Sequence, residues 1–360
     1  MKRQIPTLIL SFIISSAHAS ALFTDTIPKK NGSWINHETH AATTLTLTRH
    51  PDGGDTIAVI PPGGTVGVLF IDDGGHYLVK TPFGITGWAQ ARAGEDSGET
   101  FPALERRHDE RLGLDLHYHP ELGSPLDKHY YYDDIEPDIP APGLPPESAP
   151  DERAPAYEIY DRLLKAAFAP GGVRYHIDCA VSLRGEHYCI FLPASEGKIR
   201  RIGVAGLLGQ SFYLPGNGHV YSDVDDKRSR YYRVRQKWAL RDNAMHEIEQ
   251  PYHYLGLASQ YRGMLKSDSK THDHDTPLQL TAQAGGGETV ASIAPGEAVT
   301  IQLADPHQPC AKEARLGEGE EKRCADLWLL IESRDGTTGW AKINYNRDTP
   351  DLAGLHALAG

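Results

Sequence analysis

Apolar and polar positions alternate over short runs, and glycine or proline separates one run from the next. Leu45-Thr46-Leu47 alternates, Gly53-Gly54 breaks the run, and Ile57 to Ile60 is rich in β-formers. Pro62-Gly63-Gly64 then turns the chain, and Val66, Val68 and Phe70 share one face. A period of two bounded by turn residues predicts strands. Tyr77-Leu78-Val79 predicts one more, which Gly84 turns into a closing strand at Gly87-Trp88-Ala89. The series then returns 233 residues later: Leu45, Leu47 and Thr48 as Leu278, Leu280 and Thr281; Gly53, Gly54 and Thr56 as Gly286, Gly287 and Thr289. Ala58, Ile60, Pro62, Gly63 and Val66 come back as Ala291, Ile293, Pro295, Gly296 and Val299. Gly84, Thr86, Gly87, Trp88 and Ala89 match Gly336, Thr338, Gly339, Trp340 and Ala341, now at a displacement of 252, so the second copy carries 19 extra residues. Duplication of this kind describes one small module of short strands used twice.

The Leu-x-Leu opening, the Pro-x-Gly-x-x-Val turn and strand, and the Gly-x-Thr-Gly-Trp ending resemble the bacterial SH3-like domain family over about 40–91 and 277–344. The resemblance implies two small barrels, placed at 40–93 and 277–345, that recognise peptidoglycan stem peptides or proteins. Both copies depart from the family: His50-Pro51-Asp52 stands where a Ser-Gly-Pro type loop is common, and the second copy has its insertion. These departures sit where such domains bind, so the identity of a ligand does not transfer.

Between the copies, residues 94–155 are rich in charge, proline and histidine and end in Glu136-Pro-Asp-Ile-Pro-Ala-Pro-Gly-Leu-Pro-Pro146. Proline density without apolar periodicity predicts a semi-rigid linker. Tyr157 to Phe168 reads as a helix, with Ile159, Leu163, Leu164 and Phe168 near one face and Pro170-Gly171-Gly172 stopping it. From Val173 to Leu257 the runs are again strand-like, which gives a central β-rich domain over 156–265 that resembles no family. The expected fold class is mainly β: two SH3-like barrels flanking a central α+β domain.

The first residues change the expected compartment. Lys2 and Arg3 precede the apolar run Leu8 to Ile14, and Ala17-His18-Ala19 supplies a cleavage site, so 1–19 reads as a secretory signal. That run is about half the ~20 residues of a spanning helix, so no membrane span is expected after cleavage. The absence of a cysteine at the cut speaks against a lipid anchor. The protein is then periplasmic or secreted, where disulfides persist. Its four cysteines fall as two local pairs, Cys179 with Cys189 and Cys310 with Cys324, the second inside the inserted 19 residues. Of the three possible connectivities, local pairing is the simplest. The precursor carries a net charge of −12, and loss of Lys2 and Arg3 takes it to −14. Such a field repels nucleic acid.

Catalytic motifs fail letter by letter. His246-Glu247 opens like a zinc-peptidase helix, but Gln250 stands where the second histidine belongs. Ser211 lacks the second glycine of a nucleophile elbow, and Gly203 to Ser211 has neither the spacing nor the lysine of a phosphate-binding loop. Asp223-x-Asp225-Asp226 opens like a calcium loop but has Arg228 at the glycine position and Val234 at the glutamate position. With every cysteine paired, no thiol is left as a nucleophile. Two histidine groups, His117-Tyr118-His119 with His129, and His272-Asp273-His274-Asp275, have metal-ligand character but lie in polar linkers. No cofactor, metal or catalytic residue is expected.

Aromatic residues are the better lead. The candidate binding residues are Tyr77, Phe83, Trp88 and Trp340 in the repeats and Tyr231 in a stretch flanked by Arg228, Arg230, Arg233 and Arg235. Both tryptophans also read as core, since each follows a glycine that lets another backbone approach. The leading expectation is a non-catalytic cell-envelope protein binding a cell-wall peptide, a glycan or an envelope protein. One alternative is a cell-wall hydrolase with its site in the central domain, where His176, Asp178 and His187 are the first residues to inspect. Another is an inhibitor or structural partner of a periplasmic protein.

Overall fold

The computed structural model describes residues 22–27, 33–92, 98–131, 159–181, 187–194, 206–225, 232–242, 244–265, 271–308, 313–314, 323–324, 326–344 and 350–355. The protein is mainly β, and the described residues contain no helix. The first repeat comprises β1 (Ser33–His40), β2 (Leu45–His50), β3 (Gly53–Ile60), β4 (Thr65–Ile71), β5 (Tyr77–Lys80) and β6 (Thr86–Ala91). The central part comprises β7 (Glu105–Asp109), β8 (Leu114–Tyr118), β9 (Gly123–Tyr131), β10 (Ile159–Ala167), β11 (Arg174–Val181) and β12 (His187–Pro193). It continues through β13 (Leu207–Gly209), β14 (Ser211–Leu214), β15 (His219–Asp225), β16 (Arg233–Arg241) and β17 (Ala244–Ile248). The second repeat follows with β18 (His253–Gln260), the short pair β19 (Met264–Leu265) and β20 (His272–Asp273), β21 (Leu278–Gln283), β22 (Gly286–Ile293) and β23 (Ala298–Ala304). A second short pair, β24 (Glu313–Ala314) and β25 (Arg323–Cys324), precedes β26 (Asp326–Ser333) and β27 (Thr338–Asn344).

The duplicated pattern folds into duplicated sheets. Strand order is β1-β4-β5-β6-β2-β3 in one and β18-β23-β26-β27-β21-β22 in the other. The irregularities match as well: the first strand of each sheet bulges between Trp34 and His37 and between Tyr254 and Leu257. Asn36 and Gly256, at φ 49° and 57°, supply the left-handed residue inside each bulge. Thr48 Oγ1 donates to the Trp88 carbonyl as Thr281 Oγ1 does to that of Trp340. β1 and β18 thus belong to the repeats, and β18 leaves the central domain that was expected to run to residue 265.

The two sheets meet directly. A cross-strand row of Trp34, Phe70, Leu78 and Trp88 in the first repeat corresponds to Tyr254, Leu303, Leu330 and Trp340 in the second. All eight residues lie in one apolar cluster. Each sheet therefore offers the same patch to its copy, the self-complementary arrangement of a two-fold interface, here within one chain.

The central part is a sandwich of a five-stranded sheet, β13-β12-β11-β10-β9, and a six-stranded one, β17-β16-β15-β14-β8-β7. Between them lie Leu114, Leu116, Leu164, Ile177, Phe191 and Phe212, with the Cys179–Cys189 disulfide buried among them. Two expectations are corrected here. The helix expected over Tyr157 to Phe168 is a strand across its described residues: Ile159–Ala167 is hydrogen-bonded to β9 and β11. Its register slips between Arg162 and Leu164, and both faces are buried, so period-two alternation is lost and the leucines imitate a helical stripe. Nor is 94–155 a linker throughout, because 105–131 supplies strands to both central sheets. The alternation Leu112, Leu114, Leu116, Tyr118 was masked by the charges of the opposite face.

Candidate binding cleft

The six-stranded central sheet turns an apolar face to the sandwich core and a charged, aromatic face outward. Register places His117, Tyr213, Tyr221 and Lys237 in one row of that outer face, and Asp115, Ser211, Asp223 and Arg235 in the next. Because cross-strand neighbours on one face lie about 5 Å apart, rings and charges of such rows must interact. The His117 ring stacks on Tyr213 at 4.4 Å and 9°, and the Arg235 guanidinium lies 3.8 Å from the centre of the same ring. Arg235 also grips Asp223 with two hydrogen bonds, 2.7 and 2.8 Å, and the Tyr213 hydroxyl donates to Asp223 at 2.8 Å. Burial, with Asp223 beside it, pushes the Tyr213 hydroxyl up to about 12, so it stays a donor. At the open end Asp115 takes two hydrogen bonds from Arg106, 2.8 and 3.0 Å, and lies 2.8 Å from His108 Nδ1. The Arg106 hydrogen bonds hold this carboxyl below the usual range.

The first repeat covers the other end of this face. Lys237, fully buried, donates to the Ile57 carbonyl at 2.7 Å and to Glu99 Oε1 at 2.5 Å. The Tyr221 hydroxyl donates to Glu99 Oε2 at 3.2 Å, and Asn217 Nδ2 donates to that hydroxyl at 3.1 Å. Burial drives the Tyr221 hydroxyl well above its ordinary range and lowers the Lys237 ammonium, although Glu99 opposes the latter shift. His219 sits 3.8 Å from Glu99, yet its ring is held down at about 3. Burial dominates there, and the nearby Lys237 ammonium adds to it. This network clamps the first repeat to the central sheet.

Between clamp and inter-repeat contact lies a cleft of about 880 Å³. One wall is the first repeat with Lys80 and Phe83, the other the central sheet with Arg233 and Arg235, and Tyr254 of β18 joins them. The Lys80 ammonium stands 3.8 Å over the Tyr254 ring, while Phe83 meets Phe101 edge-on at 5.3 Å. Asp225 is 3.6 Å from Arg233, whose side chain remains about half exposed at 54%. Three cations thus share a cleft lining with three aromatic rings in a chain whose overall charge is −12. Glu38 and Asp223 are the acids of the lining.

Of the residues singled out by sequence, Phe83 and the two arginines Arg233 and Arg235 reach this cleft. Tyr77 is half-buried against Phe23, 5.2 Å away. Trp88 is 6% exposed at the contact between repeats, and Trp340 packs beside Tyr252 at 5.7 Å in the same contact. Tyr231 lies outside the described residues, and its neighbour Tyr232 is buried in the core of the second repeat. Cys310 and the side chain of Cys324 also lie outside them, so of the two expected disulfides the described residues contain Cys179–Cys189.

The three central residues proposed for hydrolysis do not converge. Asp178 forms two hydrogen bonds with Arg162, 3.0 and 3.1 Å, and with His176 lies on the opposite face of β11 from the core residues Ile177 and Cys179. His187, two residues from the core residue Cys189, is on the core face, where its Nε2–H donates to the Leu112 carbonyl at 2.5 Å. His272 and His274 have ring centres 6.3 Å apart, and no three metal-binding side chains converge among the described residues. What sequence reading missed was Lys80, Glu99 and Lys237. Their side-chain partners, Tyr254 for Lys80 and Tyr221 with Lys237 for Glu99, come from strands distant in sequence, and nothing local marks them. Comparison with protein families, with characterised proteins and with solved structures finds no match for this chain.

Proposed function

We propose that this chain is an exported, non-catalytic binding protein of the cell envelope, and that its ligand lies in the cleft between the first repeat and the central sheet. The carrying observation is that Lys80, Arg233 and Arg235 line one cleft together with Phe83, Phe101 and Tyr254, with the Lys80 ammonium over the Tyr254 ring. Rings that bury apolar area beside cations that pair carboxylates are the makings of a recognition surface. The ligand class that fits is an extended peptide or glycan bearing carboxylates. The signal pattern of 1–19 and the resemblance of both repeats to SH3-like domains support the cell wall as its source. Within the lining, the basic side chains lie against acids and rings, not against a nucleophile, which favours binding over hydrolysis.

Retention of the mature protein on purified sacculi, and titration with soluble stem peptides, test this reading. Arg233→Ala and Lys80→Ala each remove one charged contact worth about 1.5–3 kcal/mol, so each should weaken binding on the order of tenfold or more. Wild-type retention by both variants would place the ligand elsewhere, and release of smaller fragments from sacculi would make the protein a hydrolase.

A further inference from the structure

The duplication offers an internal control: what one repeat does with a surface can be compared with what its copy does. β3 and β22 are equivalent edge strands, each last in its sheet. Their pairing is the same residue for residue, Leu45 with Ile60 and Thr46 with Val59 in one, Leu278 with Ile293 and Gln279 with Ser292 in the other. In the first repeat this edge is filled by the chain itself. The Glu99 amide donates to the Val59 carbonyl at 2.7 Å, and the Lys237 ammonium donates to the Ile57 carbonyl at 2.7 Å. Ile57 is accordingly 1% exposed.

The equivalent carbonyls of β22 are those of Val290 and Ser292. No described residue donates to them from outside the sheet, and Val290 is 41% exposed where Ile57 is 1%. Edge strands of this kind are normally blunted by proline, lysine or a covering segment, because a row of free carbonyls and amides recruits another strand. Gly286–Ile293 contains neither proline nor lysine, and its single charge is Glu288.

From this comparison we infer that the outer edge of β22 is a docking site for an extended, lysine-bearing segment of a partner protein. The occupant's chemistry is read from the first repeat. A backbone amide satisfies Ser292 as Glu99 satisfies Val59, and an ammonium satisfies Val290 as Lys237 satisfies Ile57. Strand addition of this type takes affinity from the main chain and selectivity from alternate side chains. Glu288 and Glu297, both on the surface near this edge, and the overall charge of −12 favour a basic segment over a second copy of this acidic chain. The site is separate from the cleft.

The test uses the full mature protein and a fluorescein-labelled decapeptide of alternating threonine and lysine. Two control peptides carry glutamate in place of lysine, or N-methyl groups on alternate amides. The lysine peptide should bind and slow amide exchange at Val290 and Ser292, and both controls should bind at least tenfold more weakly. Val290→Pro removes an edge donor at a position where an edge strand tolerates proline, and Val290→Lys adds a like charge without disturbing a packed core. Both variants should weaken binding tenfold or more at an unchanged melting temperature, whereas Arg233→Ala should leave it unaltered. The inference is overturned by any of four results: no binding of the lysine peptide, equal binding of the glutamate peptide, binding that survives both Val290 variants, or a concentration-dependent dimer that Val290→Pro abolishes. The last result would assign the edge to a second copy.

Discussion

Replacing Trp88 by alanine should destabilise both repeats, and by similar amounts. A tryptophan buries roughly 150–250 Å², so at about 25 cal/mol per Å² its removal forfeits some 4–6 kcal/mol of transfer free energy. Measured truncations of core tryptophans give about 3–5 kcal/mol. The 6% exposure of Trp88 places it at the full cost. The ring is shared property, because the cluster that holds it also holds Leu303, Leu330 and Trp340 of the second repeat. Each kilocalorie lowers the melting temperature of a protein this size by about 2–4 °C, so a fall on the order of 10 °C is expected. The informative assay is residue-resolved amide exchange in Trp88→Ala, where Leu303 and Leu330 should lose protection together with Phe70 and Leu78. In a cycle with Trp340→Ala the two losses should be non-additive by about 0.5–3 kcal/mol, as for residues in one packed cluster. Lost protection confined to β4, β5 and β6, with additive energies, would mean that the repeats are independent and that the shared cluster stabilises neither.

Two further outcomes follow from buried chemistry in the central domain. The folded protein holds His219 at about 3 against an ordinary 6.5, chiefly by burial and then by Lys237; the unfolded chain therefore binds the proton first, and stability complete above pH 6.5 should fall as pH drops toward 3. The single-site effect is at most about 5 kcal/mol, and His219→Gln should flatten the acid limb of stability against pH; an unchanged slope would show that another group governs acid unfolding. Opening the Cys179–Cys189 disulfide, which spans a sequence separation of 10, should cost about 3 kcal/mol. Urea denaturation of Cys179→Ala/Cys189→Ala should show its midpoint falling accordingly, and an unmoved midpoint would refute this.

The repeats were legible in the sequence because strands such as β2 and β21 bury alternate positions and tight turns place a glycine at the reversals. Gly53, Gly54 and Gly63 adopt φ of 118°, 108° and 77°, and Gly286, Gly287 and Gly296 adopt 138°, 112° and 91°. Those values are the physical reason the letters recur. β1 and β18 left no such trace, since a bulge interrupts the alternation of both. β10 was misread for a related reason: a strand buried on both faces and bulged in the middle has no periodicity of its own. The cleft was legible in part. Arg233 and Arg235 alternate along an outward-facing strand, but their meeting with Lys80 depends on the packing of the first repeat on the central sheet, which no window of sequence contains.

The repeats also indicate which residues are free to specialise. Positions they share build the sheet: Leu47 and Leu280, Thr48 and Thr281, Gly87 and Gly339, Trp88 and Trp340. Positions lining the cleft have parted. Lys80, opposite Gly67, corresponds to Glu332, opposite Thr300, and Phe83 corresponds to Asp335. A ligand drawn to the Lys80 ammonium of the first repeat would be repelled by the carboxylates at the same place in the second, so the cleft belongs to one repeat only. Lys80→Glu gives the first repeat the charge of its copy and is the sharpest test of that argument. The folding cost should be small, about 0.5–1 kcal/mol for the cation lost from the Tyr254 ring. The new carboxylate joins Glu38 and Asp223 in the cleft lining and turns attraction for an acidic ligand into repulsion. Retention on sacculi should fall below that of Lys80→Ala, most steeply at low ionic strength, where charges separated by several ångströms are least screened. Equal retention by Lys80→Glu and Lys80→Ala, with both folded, would show that the ligand does not pass the Lys80 ammonium and that the cleft is not read by charge.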